Sequence, residues 1–343
     1  MNPLVGIALI AIGSLGAASF YVPFKKVKNW AWESYWLSQG VAAWLIAPWV
    51  FALLTVPNGT LLTILSEAPT SAKWYAILFG ALWGVGGLTF GLSIRFLGVA
   101  LGQSIALGFC AAFGTLIPPI VKGKDLFTPE GMVILAGVAI CIAGIAVIGY
   151  AGALKDKGMS DEERKAAVKE FALKKGLLIA IFAGIMSACF NFGFEAGIPI
   201  AEVAAKHGTN SLYVNNPILI FILLGGFCTN FIYCVTLNIK NKTGKDYLSV
   251  SPSVFLNNIF FTFLAGVLWF LQFHFFGMGK SLLPEGIAVF AWSILMALNI
   301  AFSNIWGIIL KEWKGSGKKT MIVLIIGIVI LILSTFVVSY PID

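Results

Sequence analysis

The chain has 343 residues, of which 59% are hydrophobic and only 11% are charged, and its formal net charge is +8. Soluble domains are about 45–50% apolar and about 25% charged, so this composition excludes an ordinary soluble protein. A mean hydropathy of +0.93 indicates a membrane protein instead. The positive charge lies in the loops of such a protein, so it does not indicate a nucleic-acid partner.

Ten apolar stretches follow one another along the chain, and each supplies the roughly 20 residues that a helix needs to cross a bilayer. The sequence therefore predicts an all-α membrane protein embedded in the lipid bilayer, with ten transmembrane helices. The predicted spans are 3–24, 31–54, 73–94, 99–121, 130–152, 175–198, 212–237, 252–277, 285–310 and 320–340.

Basic residues are distributed unevenly over the nine loops between these spans. The even-numbered loops carry five of the 23 Lys and Arg, and the odd-numbered loops with the adjoining span ends carry the other 18. Cytoplasmic loops are enriched in Lys and Arg, so the odd loops are predicted to face the cytosol. Both termini are then periplasmic in a bacterial inner (plasma) membrane. The five residues on the other side are Lys73, Lys122, Lys124, Lys206 and Lys280.

A charged run over 153–174 divides the chain into a first half (1–152) and a second half (175–343) of five spans each. Ser160 and Glu163 fit a capping box, which predicts a short cytosolic helix over 160–173. Because five is odd, a duplicated half would re-enter the membrane upside down, as in many secondary transporters. Short matches support two inverted repeats: "GALW" (80–83) with "GVLW" (266–269), and "GSLGA" (13–17) with "GIMSA" (184–188).

Motifs for catalysis, metals or cofactors are not found in the sequence. The five cysteines lie inside apolar stretches, where they serve as small packing residues without metal-ligand spacing. The segment "KGSGKKT" (314–320) departs from the phosphate-binding loop, because Lys319 stands where Ser or Thr should follow Lys318. The chain is expected to be no enzyme and to need no cofactor or metal.

Four ionisable residues in or near the spans are functional candidates, because a charge in the membrane is costly unless it faces a cavity or a partner. Glu33 is either an acid favoured by the N-terminus of its helix or a proton-carrying carboxylate. Lys25, Lys26 or Lys28 would neutralise Glu33 in the first case. Glu195 is an interfacial acid, a proton site on the outward side or a gate residue. The other two are Arg95, a topology anchor or a gate partner, and His274, a packing residue or a proton carrier with an ordinary pKa near 6.5.

Amides and tryptophans in the spans are suited to a polyol ligand. Amides offer donors and acceptors to sugar hydroxyls, and indole rings offer flat faces to the C–H side of a sugar. Trp269 and Gln272 are three residues apart and so share a helix face. Hydrogen bonding between helices is the alternative role for each amide. The substrate-binding candidates are Trp83, Gln103, Asn191, Trp269, Gln272, Trp292 and Asn299.

Specific stretches resemble the L-rhamnose–proton symporters, a branch of the drug/metabolite transporter superfamily, over nearly the whole chain. The strongest are "FYVPFKKVKNWAWE" (20–33), "FGALWGVGG" (79–87), "GLSIRFLG" (91–98), "GTLIPPI" (114–120), "FALKKG" (171–176), "LYVNNP" (212–217), "GVLWFLQF" (266–273) and "LKEW" (310–313). The resemblance implies ten helices in two inverted halves and uptake of L-rhamnose or a close 6-deoxy sugar with protons. Gate or charge partners within the matched motifs are Tyr21, Lys25, Lys26 and Arg95.

The chain departs from this family pattern at three positions. Glu195 stands where the family has an amide, His274 where it has an aromatic residue, and Gln103 where it has an apolar one. These departures favour Glu33 over Glu195 and His274 as the proton site. They leave a sodium-coupled or facilitative carrier of another small polar metabolite as the alternative function.

Overall fold

The computed structural model describes residues 3–97, 99–158 and 172–337. Within these ranges, ten helices are long and apolar enough to cross a membrane, which confirms the predicted number of spans. They are α1 (Pro3–Ser19), α2 (Trp32–Thr55), α3 (Thr70–Leu97), α4 (Val99–Val121), α5 (Pro129–Lys157), α6 (Leu173–Ala196), α7 (Asn216–Asn241), α8 (Pro252–Leu282), α9 (Ala291–Ile309) and α10 (Lys318–Val337).

The helix boundaries follow local sequence signals. Thr128 and Ser251 are extended N-cap residues whose side chains accept hydrogen bonds from the first turns of α5 and α8, and a proline follows each of them. Helix α5 continues to Lys157, a few residues beyond the predicted end of that span. The predicted cytosolic helix at 160–173 falls almost entirely outside the described residues.

Helix α2 is not a regular α-helix throughout. Residues Val41–Ile46 form a π-helical segment in its middle, and the backbone N–H of Ala47 bonds to the carbonyl of Ala42 five residues earlier. Such wide turns are rare and occur frequently at functional sites. The segment begins directly after Gly40 and contains Trp44.

The helices pack in pairs that correspond between the two halves of the chain. Helix α3 packs against α6 and α7, and α8 packs against α1 and α2. Likewise α4 packs against α6, and α9 packs against α1. Helices α5 and α10 pack against each other. Each pairing therefore has a counterpart in which every helix is replaced by the one five positions away in chain order.

Glycines allow the closest of these approaches, between α3 and α7. A Cβ atom added to Gly80 would lie 2.0 Å from the carbonyl oxygen of Ile222, and one added to Gly225 would lie 2.0 Å from that of Ile77. Small residues at such contacts let helix backbones approach closely in lipid. Gly266 has the same role between α8 and α2, where an added Cβ would lie 2.7 Å from the carbonyl oxygen of Gln39.

We expect Gly80→Val to destabilise the protein, because the atom that the new side chain meets belongs to a helix backbone and cannot rotate away. Overpacking of this kind costs about 1–3 kcal/mol, which a lower melting temperature in detergent would report. Gly91→Ala in the same helix is the matched control, since no atom lies within 4 Å of its added Cβ. Equal melting temperatures for the two variants would contradict the close contact.

Candidate functional site: an aromatic and amide cluster between the two halves

Three tryptophans from three helices meet near the middle of the protein. Trp44 of α2 lies edge-on to Trp83 of α3 and Trp269 of α8, with ring centroids 6.1 and 5.7 Å away. Trp83 and Trp269 are 5.6 Å apart and tilted by 34°. Trp44 is buried, whereas Trp83 and Trp269 are partly exposed. We call these three residues the tryptophan triangle; Trp83 and Trp269 were predicted from the sequence, and Trp44 was not.

Further aromatic rings fill the interior on the even-loop side of the triangle. Phe190 stacks on Phe273 with centroids 3.6 Å apart and on Trp292 at 5.9 Å. The indole N–H of Trp292 donates to the carbonyl of Cys110 at 3.1 Å. Trp292, a predicted sugar-binding residue, is thus buried and paired. We call Phe190, Phe273 and Trp292 the aromatic plug.

Two of the predicted amides lie together next to the triangle. The amide nitrogen of Asn299 on α9 donates to the side-chain oxygen of Gln272 on α8 at 3.1 Å. Gln272 in turn donates to the carbonyl of Trp269 at 3.0 Å. The Oδ1 atom of Asn299 is buried without a hydrogen-bond partner among the described residues. The pair therefore retains an acceptor for a polar ligand beside an indole ring.

Burial along α9 changes at this amide pair. Residues 291–298, toward the even-loop end, are all buried. Asn299 is half-buried, and Ser303 one turn further is exposed. Helix α7 behaves similarly, since residues 216–223 are buried except for half-buried Phe221, and Leu224 is exposed. Both helices are thus almost continuously buried at their even-loop ends and expose some side chains nearer their odd-loop ends.

Glu195 is held between two lysines at the even-loop face. Its carboxylate forms ion pairs with Lys122, just beyond α4, and with Lys280 of α8. The side chains of Glu195 and Lys280 are only 15% and 16% exposed. Both lysines line a pocket of about 160 Å³, together with Thr115 and Asn191. This arrangement neutralises the carboxylate and links α6, α8 and the loop after α4.

Asn191, another predicted sugar-binding residue, lies below this charged cluster. Its amide nitrogen donates to the carbonyl of Gly114 at 2.8 Å, and its Oδ1 atom is buried without a partner in the described part of the chain. An exposed ion pair between Lys124 and Glu285 and a 2.7 Å hydrogen bond between the His207 ring and the Glu67 carboxylate also join loops on this face. Polar and charged contacts therefore connect the elements of the even-loop face.

Glu33, at the start of α2 on the odd-loop face, is only 5% exposed and is bound by neutral groups. Its Oε1 atom accepts hydrogen bonds from the Asn241 amide at 2.9 Å and the Thr243 hydroxyl at 2.7 Å. Lys25, Lys26 and Lys28, one of the two sets of partners that the sequence left open, are exposed and are not among the groups that act on this carboxylate. The carboxylate therefore depends on the end of α7 rather than on the basic loop before it.

The loop after α7 completes this attachment. Asp246 accepts hydrogen bonds from the backbone N–H of Ala31 at 2.7 Å and from the Ser34 hydroxyl at 2.9 Å. Tyr247 donates to the carbonyl of Ser34 at 3.2 Å, and burial raises the pKa of its hydroxyl, which keeps it protonated. The start of α2 is thus fastened to α7 by several contacts in addition to Glu33.

His274 of α8 lies in an aromatic box near the even-loop end of the membrane. Its Nδ1 atom donates to the side-chain oxygen of Asn216 at 2.9 Å, and Asn216 donates to the Thr55 hydroxyl at 2.9 Å. Phe51 and Tyr213 pack on the imidazole ring with centroids 4.7 and 6.1 Å away. These contacts are those of a packing histidine, and they are separate from the Glu195 cluster.

The remaining predicted residues are spread around the odd-loop half. Tyr21 is exposed and packs on Phe20 and Phe24. Arg95 is exposed in the last turn of α3. Gln103 is half-buried near the start of α4 and lies in neither the triangle nor the Glu195 pocket as described. The structure thus groups Trp83, Trp269, Gln272 and Asn299, and separately Asn191 and Glu195.

We expect Glu195→Gln to lower the melting temperature, because it leaves the buried Lys280 without its counter-charge. Removing one member of a buried ion pair costs on the order of 3 kcal/mol, and the second change Lys280→Met should recover most of that loss. Glu285→Gln is the control, since an exposed ion pair contributes little. A double variant no more stable than Glu195→Gln would show that the two residues do not depend on each other.

Comparison with known proteins agrees with this architecture. The family model described as L-rhamnose-proton symport protein (RhaT) matches residues 2–342. The L-rhamnose-proton symporters of Yersinia pestis (strain Pestoides F) and Yersinia pseudotuberculosis serotype O:1b (strain IP 31758) are each 38% identical to it over 341 residues, covering 98% of this chain and 97% of theirs. These matches confirm the resemblance inferred from the motifs. The chain belongs to the L-rhamnose-proton symport protein (RhaT) family, a family of membrane transporters.

Proposed function

We propose that this chain imports L-rhamnose or a related 6-deoxy sugar together with protons by alternating access. The observation that carries the proposal is the Gln272–Asn299 amide pair beside the indole of Trp269, partway along the spans of a full-length family match. The amides offer hydrogen bonds to sugar hydroxyls, and the partly exposed indoles of the triangle offer apolar faces. A lipid-like substrate would gain nothing from the buried amides.

The two halves are proposed to be inverted repeats. Support comes from the packing, in which each main helix pair has a counterpart five helices away. It also comes from the matched motifs: Gly80 meets a backbone carbonyl of α7, and Gly266 meets one of α2. Exchanging the halves converts the first contact into the second. Two such repeats can exchange conformations and so expose one site to either side.

The conformation described here is proposed to be open toward the cytosol. The tight packing of α9 before Asn299 and the ion pairs around Glu195 support closure of the even-loop face. The excess of Lys and Arg in the odd loops supports a cytosolic location for the odd-loop face, with both termini in the periplasm. Release of sugar to the cytosol is the step that such a state serves.

Glu33 is the proposed proton site, because its charge can be removed without breaking an ion pair. Its partners Asn241 and Thr243 are neutral, so protonation leaves no buried cation behind. Protonation of Glu195 would instead abandon two lysines. Trp36, one turn after Glu33, lies 6.1 Å from Trp44, so a shift of this end of α2 is carried to the tryptophan triangle.

Transport by proteoliposomes tests the coupling. An inward proton gradient should drive uphill uptake of L-rhamnose, and an inward sodium gradient of equal size should not. One proton crossing 100 mV supplies about 2.3 kcal/mol, and tenfold accumulation requires about 1.4 kcal/mol. Uptake that follows sodium, or that never exceeds equilibrium, would support the alternative carrier instead.

The Glu33→Gln variant should lose uphill uptake in this assay while retaining sugar exchange across the membrane. The amide keeps the shape of the side chain and an acceptor oxygen for Asn241 and Thr243. It cannot gain or lose a proton near neutral pH, so it cannot couple sugar to protons. Glu202→Gln, at a different glutamate in the chain, is the matched control and should transport normally. Undiminished accumulation by Glu33→Gln would exclude Glu33 as the proton site.

Trp269→Ala should weaken L-rhamnose binding at least tenfold, because it removes one face of the triangle and the neighbour of Gln272. Titration calorimetry of the purified variant in detergent measures the dissociation constant directly. Trp74→Ala is the control, because Trp74 is an exposed tryptophan near the start of α3 and outside the triangle. This variant should bind L-rhamnose with the affinity of the wild type. Equal affinity in Trp269→Ala and the wild type would remove the triangle from the proposed site.

A further inference from the structure

Two side chains of α2 contain buried polar atoms that the fold does not satisfy. Gln39 is 0% exposed, and both its amide oxygen and its amide nitrogen lack a hydrogen-bond partner among the residues described. Trp44 is 2% exposed, and its indole N–H also lacks a partner within that part of the chain. Burying such groups unpaired costs free energy, so their retention calls for an explanation.

Other buried polar side chains on α2 have hydrogen-bond partners, so the lack of partners is confined to Gln39 and Trp44 among those described. Ser38, adjacent to Gln39, shares a 2.7 Å hydrogen bond with Thr262 of α8. Ser34, one turn earlier, donates to Asn238 and Asp246. The helix therefore satisfies polar side chains along the same contact and leaves Gln39 and Trp44 without partners.

Trp44 belongs to the tryptophan triangle, and the backbone of Gln39 lies next to the helix that carries Trp269. The backbone of Gln39 meets Gly266 of α8, and Trp269 lies one turn further along α8 on the same face. The ring of Trp44 lies back over Gly40, where an added Cβ would be 2.5 Å from the indole. The π-helical segment that contains Trp44 begins directly after Gly40. One of the unpaired atoms thus belongs to the triangle itself, and the other two lie on the residue five positions before it.

We propose that Gln39 and Trp44 bind hydroxyl groups of the transported sugar, an inference that rests on the proposed function. The three unpaired atoms comprise an amide acceptor, an amide donor and an indole donor. Hydroxyl groups both donate and accept, so neighbouring hydroxyls of a pyranose match this set. An ion would find no opposite charge here, and an acyl chain would leave the three atoms unpaired.

The triangle must open for this contact to form. A ring in van der Waals contact with two indole faces requires roughly 7–8 Å between their centroids, twice the usual contact distance. Trp83 and Trp269 are only 5.6 Å apart. The sugar therefore enters between helices that are closed in this structure, and it satisfies Gln39 and Trp44 as it does so. This differential contact favours the loaded conformation over the empty one.

The variant Gln39→Leu tests the inference by measuring stability and affinity together. It removes the unpaired amide and keeps a side chain of similar size. We expect the melting temperature without sugar to stay equal or rise, while the dissociation constant for L-rhamnose in calorimetry increases at least tenfold. Trp44→Phe, which removes the indole N–H and keeps an aromatic ring, should shift affinity in the same direction.

Asn258→Leu provides the matched control, because Asn258 is a buried amide that is fully paired with the backbone of Lys28. This variant should lose melting temperature and keep its sugar affinity once folded. Unchanged affinity in Gln39→Leu, or a fall in its melting temperature like that of Asn258→Leu, would overturn the inference. If Gln39→Leu and Trp44→Phe retain affinity while Trp269→Ala loses it, only the further inference fails; absence of L-rhamnose binding by the wild type would refute the proposed function itself.

Discussion

The structure depends on one constraint: a polar atom buried among apolar helices must find a partner, because neither lipid nor a dry core supplies one. Most buried polar side chains obey it through contacts between distant helices. Thr115 of α4 pairs with Ser293 of α9 at 2.6 Å, and Asn258 binds the backbone of Lys28. These bonds fix helix positions as firmly as the glycine contacts do. The buried polar atoms without a partner therefore mark positions where binding a ligand is a reason to keep a polar group.

Apart from Thr209 in the segment before α7, the exceptions among the described residues lie on three of the spans. Asn191 lies under the charged cluster of the even-loop face, Asn299 lies beside Gln272, and Gln39 and Trp44 lie at the tryptophan triangle. The aromatic plug separates Asn191 from the others. A sugar passing from one face to the other would meet unpaired amides before and after this plug. If the chain works by the alternating access proposed above, the plug residues must move as well as the loops.

How much the sequence predicts depends on the range of the interaction. The ten spans follow from local hydrophobic length, and the side-by-side placement of Trp269 and Gln272 follows from helical spacing. The partners of Glu33 could not be predicted in this way, because Asn241 and Thr243 lie 208 and 210 positions away. The sequence offered the adjacent lysines as one possible set of partners, and these side chains are exposed to solvent. The sequence did not predict a role for Trp44, because this residue lies in the π-helical segment, which the hydrophobic periodicity does not indicate.

Glu195 and His274, two positions at which the resemblance implies another residue, are each accommodated by contacts in the structure. A carboxylate at Glu195, in place of the amide that the resemblance implies, would be costly alone at a site where it is only 15% exposed. Lys280 and Lys122 approach from two other elements and neutralise it, so the substitution carries its own compensation. His274 is hydrogen-bonded to Asn216 and packed among aromatic side chains. Neither change touches the Gln272–Asn299 pair or the tryptophan triangle. The Gln272–Asn299 pair and the triangle therefore lie apart from Glu195 and His274.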